Sequence, residues 1–227
     1  MTPDAGRNGR LAAYSGDRPE LRALVPRGAS RVLDLGCALG AVGAALKRER
    51  AVEVVGVEAD PEFAAAARDR LNRVVEHDIE ELLALADPGL GRFDCLVAAD
   101  SLEHLRDPWT ALARAVDLLE PDGSAVVSLP NARFFETFWQ LGVRGTWPLD
   151  EQGIFDRTHL RWFALRDARE LLERAGLEVV EVRPLIRVRP RGSRFDSRFA
   201  WLARTPLREF FAFQYLLVGA KATARRG

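Results

Sequence analysis

Apolar residues gather along this chain in short runs separated by amphipathic stretches. The runs at 31–35 (RVLDL), 52–57 (VEVVGV), 73–77 (RVVEH), 93–99 (FDCLVAA) and 124–130 (SAVVSLP) are bounded by turn residues and read as buried strands. The stretches between them, at 41–50, 61–72, 80–86 and 108–120, repeat their apolar positions at helical spacing. A short helix is also expected over PELRALV (19–25), with Pro19 at the favoured first turn. Asp60, just before Pro61, has the chemistry of a helix N-cap. PDG (121–123) reads as a turn. Strands alternating with helices of about 10–15 residues predict βαβ units and a mostly parallel sheet.

After Pro130 the rhythm relaxes. Residues 131–163 are rich in aromatics and are expected to cover the carboxyl ends of the strands. A helix over 165–176 follows, stopped by Gly176, then a sixth strand at 177–186. Residues 183–208 hold eight arginines against Asp196 alone and read as an exposed basic connection. FAWLARTPLREFF (199–211) is expected to be helical, and FQYLLVGAKA (213–222) is the last strand. The first 18 residues lack periodicity. The layout is therefore a loose arm over 1–18 and one domain over 19–227.

Composition narrows the class. A chain of 227 residues with 48% hydrophobic and 29% charged content suits one soluble α/β domain with a sizeable core. Lys plus Arg equals Asp plus Glu at 33 each, so no overall field favours nucleic acid or an anionic membrane. Cys37 and Cys95 are the only cysteines, and neither sits in a metal-ligand pattern, so neither a disulfide nor a metal site is expected. The polar N-terminus is unlike a secretory signal, and no run approaches the ~18 apolar residues of a membrane span. A reduced, cytoplasmic location is the expectation.

Candidate chemistry concentrates in VLDLGCALGAVG (32–43). In an open α/β sheet, ligands bind beyond the carboxyl ends of the strands, and glycines in the first turn let backbone approach the ligand closely. Glu58 closes the second strand 22 positions after Gly36, the distance of an acid that accepts from both ribose hydroxyls. Asp78 follows the third strand, where it can accept from an adenine amino group while Ile79 packs on the ring. ALGAVG is also a nicotinamide-type fingerprint with Ala38 in place of the first glycine. Asp34 counts against that reading, because a fixed negative charge opposes a pyrophosphate. It suits a ligand carrying ammonium and sulfonium charges.

VLDLGCALG, GVEADP, EHDIEEL, FDCLVAADSLEHLRDP and LLEPDGSAVVSLPN together resemble the successive motifs of class I S-adenosylmethionine-dependent methyltransferases. The resemblance runs in order over roughly 19–186. It implies a Rossmann-like, seven-stranded, mostly parallel sheet with one antiparallel C-terminal strand and helices on both faces. It also implies S-adenosylmethionine as cofactor and S-adenosylhomocysteine as product. Asp34, Gly36, Cys37 and Gly40 would shape the methionine pocket, and Glu58 beside Ala59 would hold the ribose. Asp78 and Ile79 would hold adenine, and Ala99 and Asp100 would lie near the methionine end. Ala38 stands where the family often has glycine.

On the acceptor side, no [DN]-P-P-[YF] motif and no Pro-Cys pair follows the fourth strand, which disfavours methylation of a nucleobase or an amide. His104, in DSLEHL, is either a general base or an ordering residue at a helix start, with Glu103 read as structural. GIFDRTHLRWF (153–163) resembles a segment of methyltransferases acting near sugar, envelope and secondary-metabolite pathways. There His159 is a second candidate base, and Asp156 and Arg157 either contact the acceptor or form a network anchoring the cover. Asn131 is a candidate acceptor contact, and Phe134, Phe135, Phe138, Trp139 and Trp147 either line an acceptor pocket or belong to the core. The expected partner is a small-molecule or saccharide acceptor methylated on oxygen or nitrogen. No nucleic-acid module is present. The 183–208 connection reads first as a solvated face, with a phosphorylated acceptor or peripheral membrane contact as alternatives. Two rivals remain: a non-catalytic S-adenosylmethionine-binding partner subunit and a nicotinamide-dependent oxidoreductase.

Overall fold

The computed structural model describes residues 16–187, 201, 204–205 and 207–221. One sheet contains β1 (Arg31–Leu35), β2 (Glu53–Glu58), β3 (Arg73–Glu76), β4 (Phe93–Ala99), β5 (Leu119–Pro130), β6 (Leu177–Ile186) and β7 (Ala212–Lys221). Its order is β3-β2-β1-β4-β5-β7-β6. Strands β1 to β5 pair in parallel, and β7 runs antiparallel to both β5 and β6. The helices are α1 (Pro19–Arg22), α2 (Ala41–Glu49), α3 (Pro61–Arg68), α4 (Ile79–Ala84), α5 (Pro108–Asp117), α6 (Phe135–Thr137), α7 (Leu165–Arg174) and α8 (Arg208–Phe211). The expected sheet, with its single antiparallel strand, is present.

Alternation along the strands builds two apolar layers. Leu33, Val55, Leu96 and Val127 face one layer with Leu82, Leu112 and Leu171. Val32, Val54, Val97 and Val126 face the other with Leu21, Leu46 and Ala67. Helices α1–α3 therefore cover one face and α4, α5 and α7 the opposite one. Each large side chain so buried contributes about 1.5–3 kcal/mol, which fixes the strand ends that carry the site.

Element boundaries shift where tertiary contacts overrule periodicity. The Asp60 side chain caps α3 by accepting from the amides of Glu62 (2.9 Å) and Phe63 (3.2 Å), as its position before Pro61 implies. That helix ends at Arg68 instead of 72, because Leu71 is buried and Asn72 Oδ1 accepts from the Val54 amide at 3.0 Å. Likewise α5 ends at Asp117, since Leu119 is drawn into the sheet opposite Phe93. PDG is not a separate turn. It lies within β5, where the register jumps from Phe93–Leu119 to Cys95–Ser124.

Of the helix expected over 199–211, the described part is α8, and residues 199, 200, 202, 203 and 206 lie outside the described residues. So do residues 1–15 of the arm and 188–200 of the basic connection. Segment 131–163 holds α6, a π-helical turn over Phe138–Val143 and two isolated bridges, Asn131–Phe163 and Asp150–Asp156. No helix among the described residues is long and apolar enough to cross a membrane.

Candidate functional site

β1 and β4 are adjacent in the sheet although the chain first passes through β2 and β3. Connections leave those two strands toward opposite sides, so a crevice opens beyond their carboxyl ends. A cleft of about 850 Å³ occupies that place and is lined by Asp34, Asp100 and Pro130 at the ends of β1, β4 and β5. Gly36, Cys37 and Ala99 line it as the glycine turn predicts, and the cover contributes Asp150 to Asp156 and His159.

The turn is held tightly. Gly36 has φ +71°, a left-handed conformation, and a Cβ there would stand 2.8 Å from Ser101 Cβ. Glycine is needed on both counts. Gly40, also left-handed, opens α2, and its amide donates to the Cys37 carbonyl at 2.8 Å. Glu58 braces this turn from β2: Oε2 accepts from the Ala38 amide (2.8 Å) and Oε1 from the Asp60 amide (2.9 Å). Burial raises its pKa despite those donors. Asp34 is 2% exposed, and burial together with the Glu58 charge pushes its carboxyl up to about 7. Burial and the same two carboxylates raise the Cys37 thiol far above its ordinary range.

Other candidates take different places. Asp78 Oδ1 caps α4 by accepting from the Glu81 amide at 3.0 Å, and Ile79 is buried close to Gly36. Ala59 is exposed beside Glu58. None of Gly40, Glu58, Ala59, Asp78 or Ile79 belongs to the cleft wall itself. Asn131 is corrected to a structural role. It is fully buried, its Nδ2 donates to the carbonyls of Glu209 (2.6 Å) and Ala212 (2.8 Å), and its Oδ1 accepts from the Arg133 amide. An acceptor has no atom left to reach. Arg157 is ion-paired with Glu151 and does not line the cleft, in keeping with the network alternative given for it. Phe134 is core, whereas Phe138 and Trp139 are half exposed.

Arg18 was assigned to a loose arm, and the structure places it in the site. Its guanidinium pairs with Asp100 and Glu20 and donates to Gln214 Oε1 at 2.9 Å. Asp100 also accepts from Gln214 Nε2 and from Ser128 Oγ (2.7 Å). Burial alone would raise the Asp100 pKa, but Arg18 and Ser128 hold it below the usual range. Little in the sequence marks Arg18, because its partners lie 82 and 196 positions away. Backbone geometry is more telling. Arg18, Ala38 and Asp100 are the non-glycine residues with positive φ among the described residues, and all three line the cleft. Each such conformation costs about 1–2 kcal/mol, and strain of this kind collects at functional sites.

Toward the cover, Asp156 Oδ1 accepts from the Thr158 amide (2.8 Å) and hydroxyl (2.6 Å), and that hydroxyl lies 3.0 Å from His104 Nδ1. The His104 and His159 rings meet edge to face at 4.7 Å. Burial, and then the neighbouring His104, lower the His159 pKa. Glu103 is 1% exposed and faces His159 Nε2 at 3.9 Å.

These features define a class: a Rossmann-like domain with a glycine turn and strand-end acids at the mouth of a cleft. Residues 9–182 match the family described as "Methyltransferase domain", and the chain belongs to that family. A magnesium-protoporphyrin O-methyltransferase of Rhodobacter capsulatus is 36% identical over 49% of this chain and 50% of its own length. A ubiquinone biosynthesis O-methyltransferase of Cereibacter sphaeroides is 27% identical over 74% and 68%. The chain thus spans about half the length of the Rhodobacter relative. Among solved structures, the magnesium protoporphyrin IX methyltransferase of Synechocystis PCC 6803 with bound S-adenosylhomocysteine aligns with TM-score 0.61 at 14% identity. That alignment covers 98% of this chain and 89% of the other, and it speaks for the fold.

Proposed function

We propose that this chain transfers the methyl group of S-adenosylmethionine to an oxygen or nitrogen atom of a small amphiphilic molecule. The observation that carries the reading is the acid pair at the sheet's switch point, buried Asp34 and half-buried Glu58. The Glu58 charge adds to burial in raising the proton affinity of Asp34, and no cation among the described residues bonds to either. A site built this way accommodates a positively charged ligand and repels a pyrophosphate, as the family assignment leads one to expect.

The residues present fit the cofactor. Asp34 would accept from the methionine ammonium, and Arg18, on the same cleft, offers a cation for the carboxylate end. Glu58 would accept from the ribose hydroxyls, Asp78 and Ile79 would border the adenine, and Asp100 would keep Arg18 oriented. When bound, the cofactor supplies a methyl carbon activated by its sulfonium. What the chain adds is alignment, worth about 7–11 kcal/mol in well-oriented reactions, and removal of the acceptor's proton. His104 and His159 line the cleft with Asp100, and burial lowers the His159 pKa, which favours the unprotonated imidazole a base requires.

The lining also speaks about the acceptor. Carboxylates outnumber guanidinium groups eight to two in the cleft wall, which disfavours a phosphorylated acceptor. An apolar groove of about 420 Å³, walled by Phe135, Phe138, Trp139, Val143 and Phe210, shares Glu136 with the cleft and suits a greasy acceptor body. Both named O-methyltransferase relatives favour oxygen as the nucleophile.

Thermal unfolding with S-adenosylhomocysteine or NADH, followed by methyl-transfer assays on phenols, catechols and amines, tests this reading. At 100 times its dissociation constant a ligand stabilises by about 2.7 kcal/mol, a midpoint rise of roughly 5–10 °C for a chain of this size. The expected result is a rise with S-adenosylhomocysteine alone and turnover of an aromatic hydroxyl. A rise with NADH alone overturns it. Cofactor binding with no turnover of any acceptor favours the partner-subunit alternative.

A further inference from the structure

Methyl transfer by itself leaves one feature of the acceptor side without a purpose. Glu103 is 1% exposed, and neither of its carboxylate oxygens meets a donor among the described residues. A carboxylate withdrawn from water costs several kcal/mol unless a cation or donors compensate. Two imidazoles stand next to it. His159 Nε2 is 3.9 Å from Glu103 Oε1, and one ligand atom each from Glu103, His104 and His159 lie within 4.8 Å of one another.

The far edge of the His104 ring is already engaged. His104 Nδ1 donates to the Thr158 hydroxyl at 3.0 Å, since that hydroxyl gives its own proton to Asp156 Oδ1 at 2.6 Å. On His159, Nε2 is the nitrogen turned to Glu103. A ring protonated on its outer nitrogen and bare on its inner one, as in His104, is how metal-ligating histidines are prepared. No cysteine cluster marks such a site in the sequence, and the third ligand lies 55 positions beyond its neighbour, so composition and spacing do not reveal it.

We propose that Glu103, His104 and His159 bind one divalent first-row transition-metal ion. Two imidazoles and one carboxylate form a donor set suited to zinc, iron or manganese. Bonds of about 2.0–2.2 Å require the ligand atoms to draw together by roughly an ångström, within the reach of side-chain rotation. All three side chains line the cleft, so the ion's remaining positions face the cavity. The purpose assigned to the ion rests on the methyl-transfer reading. An acceptor hydroxyl on an open position is oriented and loses its proton more readily, and that proton passes to water in the cleft as the oxygen takes the methyl group.

Tag-free full-length protein, stripped with a chelator, is titrated with Zn²⁺ by calorimetry and with Co²⁺ by visible absorption. The wild type is expected to bind one equivalent at micromolar or tighter dissociation constant, with d–d bands appearing for Co²⁺. Glu103→Gln and His159→Asn each weaken binding at least 100-fold and abolish the bands. The metal-free melting midpoint of Glu103→Gln stays close to that of the wild type, because the amide keeps the buried side chain's size and brings no charge. Absence of stoichiometric binding, or binding that survives both substitutions, overturns the site. S-adenosylhomocysteine binding is measured in parallel. A wild type that binds it but no metal overturns the metal site alone, and one that binds metal but not S-adenosylhomocysteine overturns the methyl-transfer reading and leaves the site standing.

Discussion

On the β1–β2 side of the cleft, Glu58 is fixed by backbone amides of its own loop and of the adjacent glycine turn. On the cover side, polar groups are held by one another across half a domain. Glu58 takes the amides of Ala38 and Asp60, whereas His104 depends on Thr158, 54 positions further along. The first arrangement is held by local bonds and, in the function proposed above, serves the cofactor. The second is assembled from distant segments and, in the same proposal, serves the acceptor. If the comparison holds, damage to the cover side abolishes turnover and spares cofactor binding, and damage to the turn does the reverse first.

The largest effect is expected from His104→Ala. Loss of a group that helps draw off the acceptor's proton, directly or through a bound ion, costs about 10²–10⁴-fold, so kcat should fall at least 100-fold once an acceptor is known, with S-adenosylhomocysteine affinity within about twofold of wild type. Loss of that affinity would show that the two sides are not separable. Gly36→Ala probes the other side. Left-handed strain and the 2.8 Å approach to Ser101 together predict destabilisation of about 2–4 kcal/mol in urea unfolding, and loss of S-adenosylhomocysteine binding by calorimetry. Unchanged stability would mean that the turn relaxes easily and is not the rigid half.

Asp34 gives the comparison a pH signature. Its folded-state pKa of about 7 lies above the ordinary 3.8. Between those values the folded chain keeps a proton that the unfolded chain has released. Its contribution to stability is therefore full below the ordinary value, falls as pH rises toward 7 and is lost above it. Ligand binding runs the opposite way, because an ammonium favours the carboxylate. S-adenosylhomocysteine affinity should rise by up to tenfold per pH unit from pH 5 to 7 and level off above. Asp34→Asn should flatten both profiles. A wild-type affinity flat across this range would remove Asp34 from the cofactor site.

The contrast also explains what could be read from sequence. Strands β1, β4 and β6, the cap at Asp60 and the stop at Gly176 arise from local periodicity and local bonds, and they stand where expected. So does the glycine turn, held by its own Gly40–Cys37 bond and by Val57 and Glu58 of the adjacent strand. Arg18 escapes a sequence reading because its meaning depends on residues brought near only by the completed sheet, Asp100 and Gln214. Asn131 looked like an acceptor contact from its place at the end of β5. It is spent on the carbonyls of Glu209 and Ala212, which no spacing rule connects to it. Helix ends at 68 and 117 were overrun for the same reason, since the sheet claims Leu119 and Asn72 orders the entry to β3.

The smallest expected effect is the sharpest test of how rigid the turn is. Ala38 holds φ +47° while its amide donates to Glu58 at 2.8 Å. Left-handed strain at an L-residue costs about 1–2 kcal/mol, and glycine removes it while raising the entropy of the unfolded chain by about 0.4–1 kcal/mol. Ala38→Gly should therefore stabilise by less than about 1 kcal/mol, read as a small upward shift of the melting midpoint. S-adenosylhomocysteine should bind slightly tighter, because the backbone gains room against the ligand. The outcome discriminates between two origins of the turn's geometry. A gain in both quantities means that the Glu58 bond imposes the conformation and alanine merely endures it. A loss in affinity means that the methyl group itself packs on the ligand, and the rigid half of the cleft then depends on a side chain as well as on its backbone.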